Sequence, residues 1–405
     1  MALDVKELLH IAAYHPIEID QLLDPANPSF ITFDSVLGYE LKDCGFRDGM
    51  EKSHTVGTYE EHGGHRKMVN YAGQPCRINT YGNSFTQCAQ VSDGETWQEI
   101  LAAHLREPIR NFGVGGYGVY QAYLRAMRVE VTDLAAEYII LNVWDDDHKR
   151  NLDAARWTRV AWMCRDLPRG KDKAKDAYPV HGFPWAHVRY DLDKAGFVEL
   201  PGLYEKAEDL HKLVGKDNYY QAFKDDTIAH LYTLTQGGDA PVDELEKLAQ
   251  AFGIKVDLRD PAKRTADANT LHIAYGLRST MYIVDKLSDW AKKNNRKLMV
   301  LLSYDVPSVM NYIEKGQRWD GEFLNYLEKS GLTYVDFLSK AAQEYEAFNI
   351  DAEKFIERFY IERAGAQVFG HYNPYGNFWF AFGLRKQLID WLDPKPPAYI
   401  GTSAQ

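Results

Sequence analysis

From residue 77 onward, short apolar or β-branched runs alternate with longer amphipathic stretches, as in βα units that stack a parallel sheet between helices. "CRINTYG" (76–82) predicts a first strand. In "ETWQEILAAHLREP", Trp97, Ile100, Leu101 and Leu105 recur at helical spacing, and "SDGE" just before offers Ser92 or Asp93 as the N-cap. "PIRNFGV" (108–114) predicts strand two. A glycine-rich turn, "GVGGYG", then leads into the helical pattern "VYQAYLRAMRVE", and "EYIILNVW" (137–144) is the nearly continuous apolar run of a central parallel strand. That strand ends in "DDDH".

The alternation then stops for more than a hundred residues. "WAHVRYDLDKAGFVELP" predicts a hairpin turning at Asp193 to Gly196, while "LYEKAEDLHKLVG", "TIAHLYTLTQ" and "VDELEKLAQAFG" predict helices. The α/β rhythm resumes in "STMYIVDKLSDWAKKNNRKLMVLLSYD", a helix feeding a buried strand at Leu298 to Leu302, and "GEFLNYLEKSGLTYVDF" repeats helix and strand. The first 75 residues fit neither period and are expected to form short strands and loops on the core. The expected organisation is an N-terminal extension (1–75), an α/β core (76–151 and 291–395), a mainly helical insertion or cap (152–290) and a tail (396–405).

Composition narrows the partners. The chain has 405 residues, 45% hydrophobic and 13% aromatic, enough for a large core. Forty-seven basic against 58 acidic residues leave a net charge of −11, and the basic residues are scattered, which argues against nucleic acid. No apolar run approaches the roughly 20 residues that span a bilayer, and the acid-bearing start lacks the pattern of a secretion signal, so no membrane is expected and the cytoplasm is the expected compartment. The four cysteines lie far apart without a CxxC pair, indicating neither a zinc cluster nor a disulfide framework.

The carboxyl ends of strands in an open parallel sheet are where ligand-binding loops converge. "YGNSF" after strand one, "NFGVGGYG" after strand two, "NVWDDDH" after strand three and "FGHYNPYGNFWFA" after the last strand should therefore meet at one edge. Ser84 and His371 would be neighbours there, as a nucleophile and base require. Tyr117, Tyr120, Trp144, Tyr372 and Tyr375 flank the loops, and their rings are either pocket walls or core.

These four blocks resemble the SGNH, or GDSL-type, hydrolases, over the frame from 77 to 381. The resemblance implies a flavodoxin-like three-layer α/β/α fold with a central parallel sheet, and a serine hydrolase that cleaves a small or medium ester without a cofactor. It implies that Ser84 attacks the acyl carbonyl, that Gly116 and the Ser84 N–H hold the oxyanion, and that His371 is the general base. Three positions depart from the family pattern. The residue before the serine is Asn83 instead of Asp. The third block offers Asp145 and Asp146 where the family keeps an oxyanion-binding Asn, with Asn142 slightly earlier as a substitute donor. The positions two and three before His371 are Phe369 and Val368, where the family keeps an acid. Asp145 or Asp146 turned toward His371 would fill that orienting role, since triads are defined by geometry.

Asn83, Tyr117, Trp144 and Tyr372 are the candidate substrate contacts. The same serine could pass its acyl group to another alcohol, making the protein an acyltransferase. A non-catalytic binder on this frame, or an enzyme with a metal on the acidic loop, are the readings from other classes. No metal site is the favoured expectation, His62 and His65 being read as an exposed turn and "GVGGYG" as unrelated to dinucleotides. Oligomeric state is left open.

Overall fold

The computed structural model describes residues 3–24, 26, 30–46, 53–166, 183–361 and 370–400. The chain divides into two compact units, one formed by Met1–Glu40 with His148–Tyr282 and the other by Leu41–Asp147 with Ile283–Gln405. Among the described residues, no helix is long and apolar enough to cross a membrane.

The second unit is built on a five-stranded, all-parallel sheet: β1 (Ile78–Tyr81), β2 (Arg110–Asn111), β3 (Tyr138–Trp144), β4 (Lys297–Ser303) and β5 (Thr333–Asp336). Its spatial order is 2-1-3-4-5. Strand β3 lies at the centre, pairing Tyr81 with Leu141 on one side and Ser303 with Trp144 on the other. All seven of its residues are buried, which is why the run lacks period-two alternation.

Strand two is shorter than its apolar run suggests. Past Asn111 the chain still follows β1: Phe112 N–H donates to Thr80 O at 2.9 Å and Val114 N–H to Gly82 O at 3.0 Å. The glycine-rich loop is thereby laid along the end of β1. The helix that precedes β2 (Trp97–Leu105) is capped by Thr96, which accepts from Glu99 N–H, whereas Ser92 caps the separate 3-10 turn Asp93–Glu95.

The first unit is mainly helical, with the expected hairpin at His187–Asp191 and Gly196–Leu200. The short strands expected in the first 75 residues are present at Ile31–Asp34, Gly38–Leu41, Cys44–Phe46 and Thr55–Gly57, but the expectation missed two helices. Helices occupy Val5–Ala12 and Pro16–Leu23, and Leu8, Leu9 and Ala12 are fully buried. Their helical spacing is present in "VKELLHIA" but spans only two turns. The segment around 203–215 forms only a 3-10 turn, Ala207–Leu213, followed by a helix at Lys216–Phe223. The helix expected from Ser279 begins at Arg264 and ends at Lys293; the polar side chains of Asn269, Thr270 and His272 interrupt its apolar pattern at the start.

Candidate active site

The turn after β1 is shaped by close contact. Gly82 has φ +154°, and a Cβ there would lie 2.7 Å from the Asn142 carbonyl of β3. Only glycine lets the chain leave the sheet so close to its neighbour. Asn83 follows as the N-cap of a one-turn helix, α1 (Ser84–Gln87), its Oδ1 accepting from Phe85 N–H at 2.8 Å. Its Nδ2 donates to both carboxylate oxygens of Asp147, at 2.8 and 2.7 Å, and Asp147 also accepts from Trp144 N–H at 3.0 Å. Both side chains are buried.

This geometry accounts for Asn where the resembled family keeps Asp. A second carboxylate at position 83 would face that of Asp147 at hydrogen-bond distance. Asn83→Asp should lower stability at pH 7 by at least about 1.5–3 kcal/mol, the worth of hydrogen bonds to a charged group. Urea unfolding checks this, and an unchanged midpoint would refute it.

His371 comes from the opposite end of the unit. It lies in a two-residue strand, β7 (His371–Tyr372), paired antiparallel with β6 (Tyr360–Ile361). Immediately after it, Asn373 caps the helix Pro374–Trp391 by accepting from Gly376 N–H, with Pro374 in the first turn. The imidazole is thus held between a strand pair and a capped helix. His371 Nε2 stands 2.8 Å from Ser84 Oγ. With the ring proton on Nδ1, the hydroxyl donates to Nε2, the arrangement that lets the ring take its proton. Ser84 is half-buried and His371 is 8% exposed, its ring 5.1 Å from that of Phe85. Val368 and Phe369 lie outside the described residues.

The glycine-rich loop lies against the serine. Gly115 N–H donates to Gln87 Oε1 at 2.7 Å, and a Cβ on Gly115 would sit 3.6 Å from Ser84 Cβ. Gly116 follows with φ +90°, a conformation suited to glycine. Asn142 lies in β3 beside Gly82. Its Oδ1 accepts from Ser303 Oγ at 2.9 Å, while its Nδ2 is buried without a hydrogen-bond partner among the described residues.

Two carboxylates of the acidic loop serve different partners. Asp147 holds Asn83. Asp145 accepts from Asp305 N–H at 2.6 Å and from Trp319 Nε1 at 3.1 Å, so its carboxyl braces the loop after β4 and is not brought to His371. Burial, reinforced by the neighbouring Asp305 carboxyl, pushes the Asp145 pKa well above the usual carboxylate range. Asp146 is half-buried between them.

Tyr117, Trp144 and Tyr372 are each at most 3% exposed. Trp144 stacks on Phe85 at 5.3 Å and Tyr372 meets the same ring edge-on at 4.9 Å, so both back the Ser84 turn. Cys88 closes α1 in a left-handed conformation, and burial pushes its thiol up to about 12, which keeps it a thiol. His62 is exposed and pairs with the exposed Asp133, but His65 departs from the expected exposed turn: it is buried, with Nδ1 on the Arg66 carbonyl. Among the described residues no three His, Cys, Asp or Glu side chains gather as a metal site.

Residues that the periodic reading passed over also shape the site. The buried Arg66 guanidinium donates to the Gln87 and Cys88 carbonyls at 2.7 and 2.8 Å, and Tyr59 OH accepts from Gln87 Nε2 at 2.8 Å. Both come from the segment before β1 that fits neither the helical nor the strand period, so no periodic signal marked them. No family model matches this chain, and none of the curated proteins compared with it is similar in sequence.

Proposed function

We propose that the protein is a serine hydrolase that cleaves a small or medium carboxylic ester through an acyl-enzyme, on an SGNH-like frame. The observation that carries this reading is the 2.8 Å contact between Ser84 Oγ and His371 Nε2 beside a glycine loop. The 2-1-3-4-5 strand order, which flavodoxin-like sheets share, supports the frame, as does the order of serine after the first strand, glycines after the second and a late histidine.

In this mechanism Ser84 Oγ attacks the acyl carbon while His371 Nε2 takes its proton. The carbonyl oxygen, now negative, is held by the N–H groups of Ser84 and Gly116, and Asn142, whose Nδ2 is unpartnered among the described residues and whose backbone lies against Gly82, offers a further side-chain donor. His371 then returns the proton to the departing alkoxide, leaving the acyl group on Ser84. Water, deprotonated by the same ring, releases the acid and restores the serine. No step requires a cofactor.

The test is intact-mass measurement after incubation with a fluorophosphonate, followed by peptide mapping. One adduct, on Ser84, is the expected result. A folded protein that gains no adduct would overturn the proposal.

A further inference from the structure

We infer that Tyr59 and Gln87 are positioning residues that set the oxyanion loop, so that the segment preceding the α/β core is part of the catalytic apparatus. This rests on the hydrolase reading above and extends it to residues that touch neither Ser84 Oγ nor His371.

Gln87, the last residue of α1, is 3% exposed and fixed at every polar atom. Its backbone N–H donates to Asn83 O at 2.9 Å, and its carbonyl accepts from Arg66. Its side-chain Oε1 accepts the N–H of Gly115, and its Nε2 donates to Tyr59 OH. A side-chain amide therefore links the nucleophile's helix directly to the loop that carries Gly116.

The distances leave little freedom in that link. A Cβ on Gly115 would lie 2.6 Å from Gln87 Oε1 and 3.6 Å from Ser84 Cβ, so the loop rests on the amide and beside the serine at once. The peptide that presents the Gly116 N–H begins at the carbonyl of this anchored residue. A shift at Gly115 moves the proposed donor, and misplacement by about 1 Å can cost on the order of 10²-fold in rate.

Tyr59 fixes the amide from the far side. It is 8% exposed, and its own N–H donates to Asp43 Oδ1 at 2.7 Å. Without Tyr59 OH, the Gln87 amide loses the acceptor that decides which of its ends faces Gly115. Burial raises the Tyr59 pKa, so the phenol stays neutral and brings no second anion near the oxyanion.

The experiment compares fluorophosphonate labelling of wild type, Tyr59→Phe, Gln87→Leu and the double variant, resolving the maximal labelling rate from the probe's half-saturating concentration. Gln87→Leu should slow the maximal rate by about 10- to 100-fold, with half-saturation within about twofold of wild type. Tyr59→Phe should do the same to a smaller degree. The double variant should be no slower than Gln87→Leu, because both act through one amide. The pH dependence of labelling, which reports the base, should keep its wild-type midpoint in every variant.

Wild-type rates in folded Gln87→Leu and Tyr59→Phe, or effects that multiply in the double variant, would overturn the inference. Should Gln87→Leu fail to fold, Tyr59→Phe decides alone: an unchanged maximal rate overturns the inference. An unlabelled wild type would instead refute the hydrolase reading itself.

Discussion

His371→Ala should slow fluorophosphonate labelling of Ser84 by on the order of 10²–10⁴, the usual contribution of a positioned general base. Ser84→Ala should take up no label at all. Ser84 Oγ would keep its place at the start of α1, because Asn83, Asp147 and the Cys88 N–H to Ser84 O bond hold that turn without His371. The nucleophile would be present and oriented but would have no acceptor for its proton. The fold should tolerate the change, since Asn373 caps the following helix independently. The loss should therefore appear in rate while the melting temperature stays within a few degrees. Added imidazole, small enough for the space left beside Phe85, should restore part of the rate. In wild type the rate should fall as pH drops, because a protonated ring cannot accept a proton, and this dependence should vanish in the variant. A His371→Ala protein that labels within about threefold of wild type would remove the histidine from the mechanism.

How much of this was readable from the chain depended on whether periodicity carried the information. The apolar run 137–144 announced the central strand because burial on both faces removes alternation, and the strand observed is Tyr138–Trp144. The helix after the glycine loop and the hairpin near Asp193 were legible for similar reasons. Strand two was overestimated because its apolar residues continue along β1 with only two hydrogen bonds outside the formal pairing. Parallel pairing places the carboxyl ends of β1 and β3 side by side, but His371 reaches Ser84 from β7, a strand of a separate antiparallel pair and not of the parallel sheet, so that meeting did not follow from the sheet topology. Nor did the partner of each acidic residue. Asp145 and Asp147 stand two residues apart yet serve different loops, and which way each side chain turns depends on Asn83, Asp305 and Trp319, far away in sequence. Tyr59 and Arg66 left no periodic trace because each acts through hydrogen bonds to a distant turn.

Arg66→Met should be strongly destabilising, by about 3–5 kcal/mol, because it removes a buried guanidinium and leaves the half-buried Asp93 carboxylate and four carbonyls without their donor. Arg66 is 2% exposed. Its Nε donates to Asp93 at 2.8 Å, one terminal nitrogen donates to the Gln87 and Cys88 carbonyls, and the other donates to those of Val56 and Val91 at 3.1 and 2.6 Å. All five guanidinium donors are thus used. Two of the four carbonyls end the nucleophile's own helix, where the last C=O groups of any helix lack internal partners. Methionine would fill much of the volume but satisfy none of them. For a unit of this size the melting temperature should fall by on the order of 10 °C. Arg66→Lys should recover only part of the loss, because an ammonium is a point charge that cannot reach four carbonyls and a carboxylate from one plane. A melting temperature within about 2 °C of wild type in Arg66→Met would show that water or a rearranged loop replaces the guanidinium. If the prediction holds, labelling of Arg66→Lys well below its melting point separates two roles. A slowed rate in a still-folded protein would mean that the arginine also keeps the end of α1, and with it the Gln87 link to Gly115, in register with Ser84.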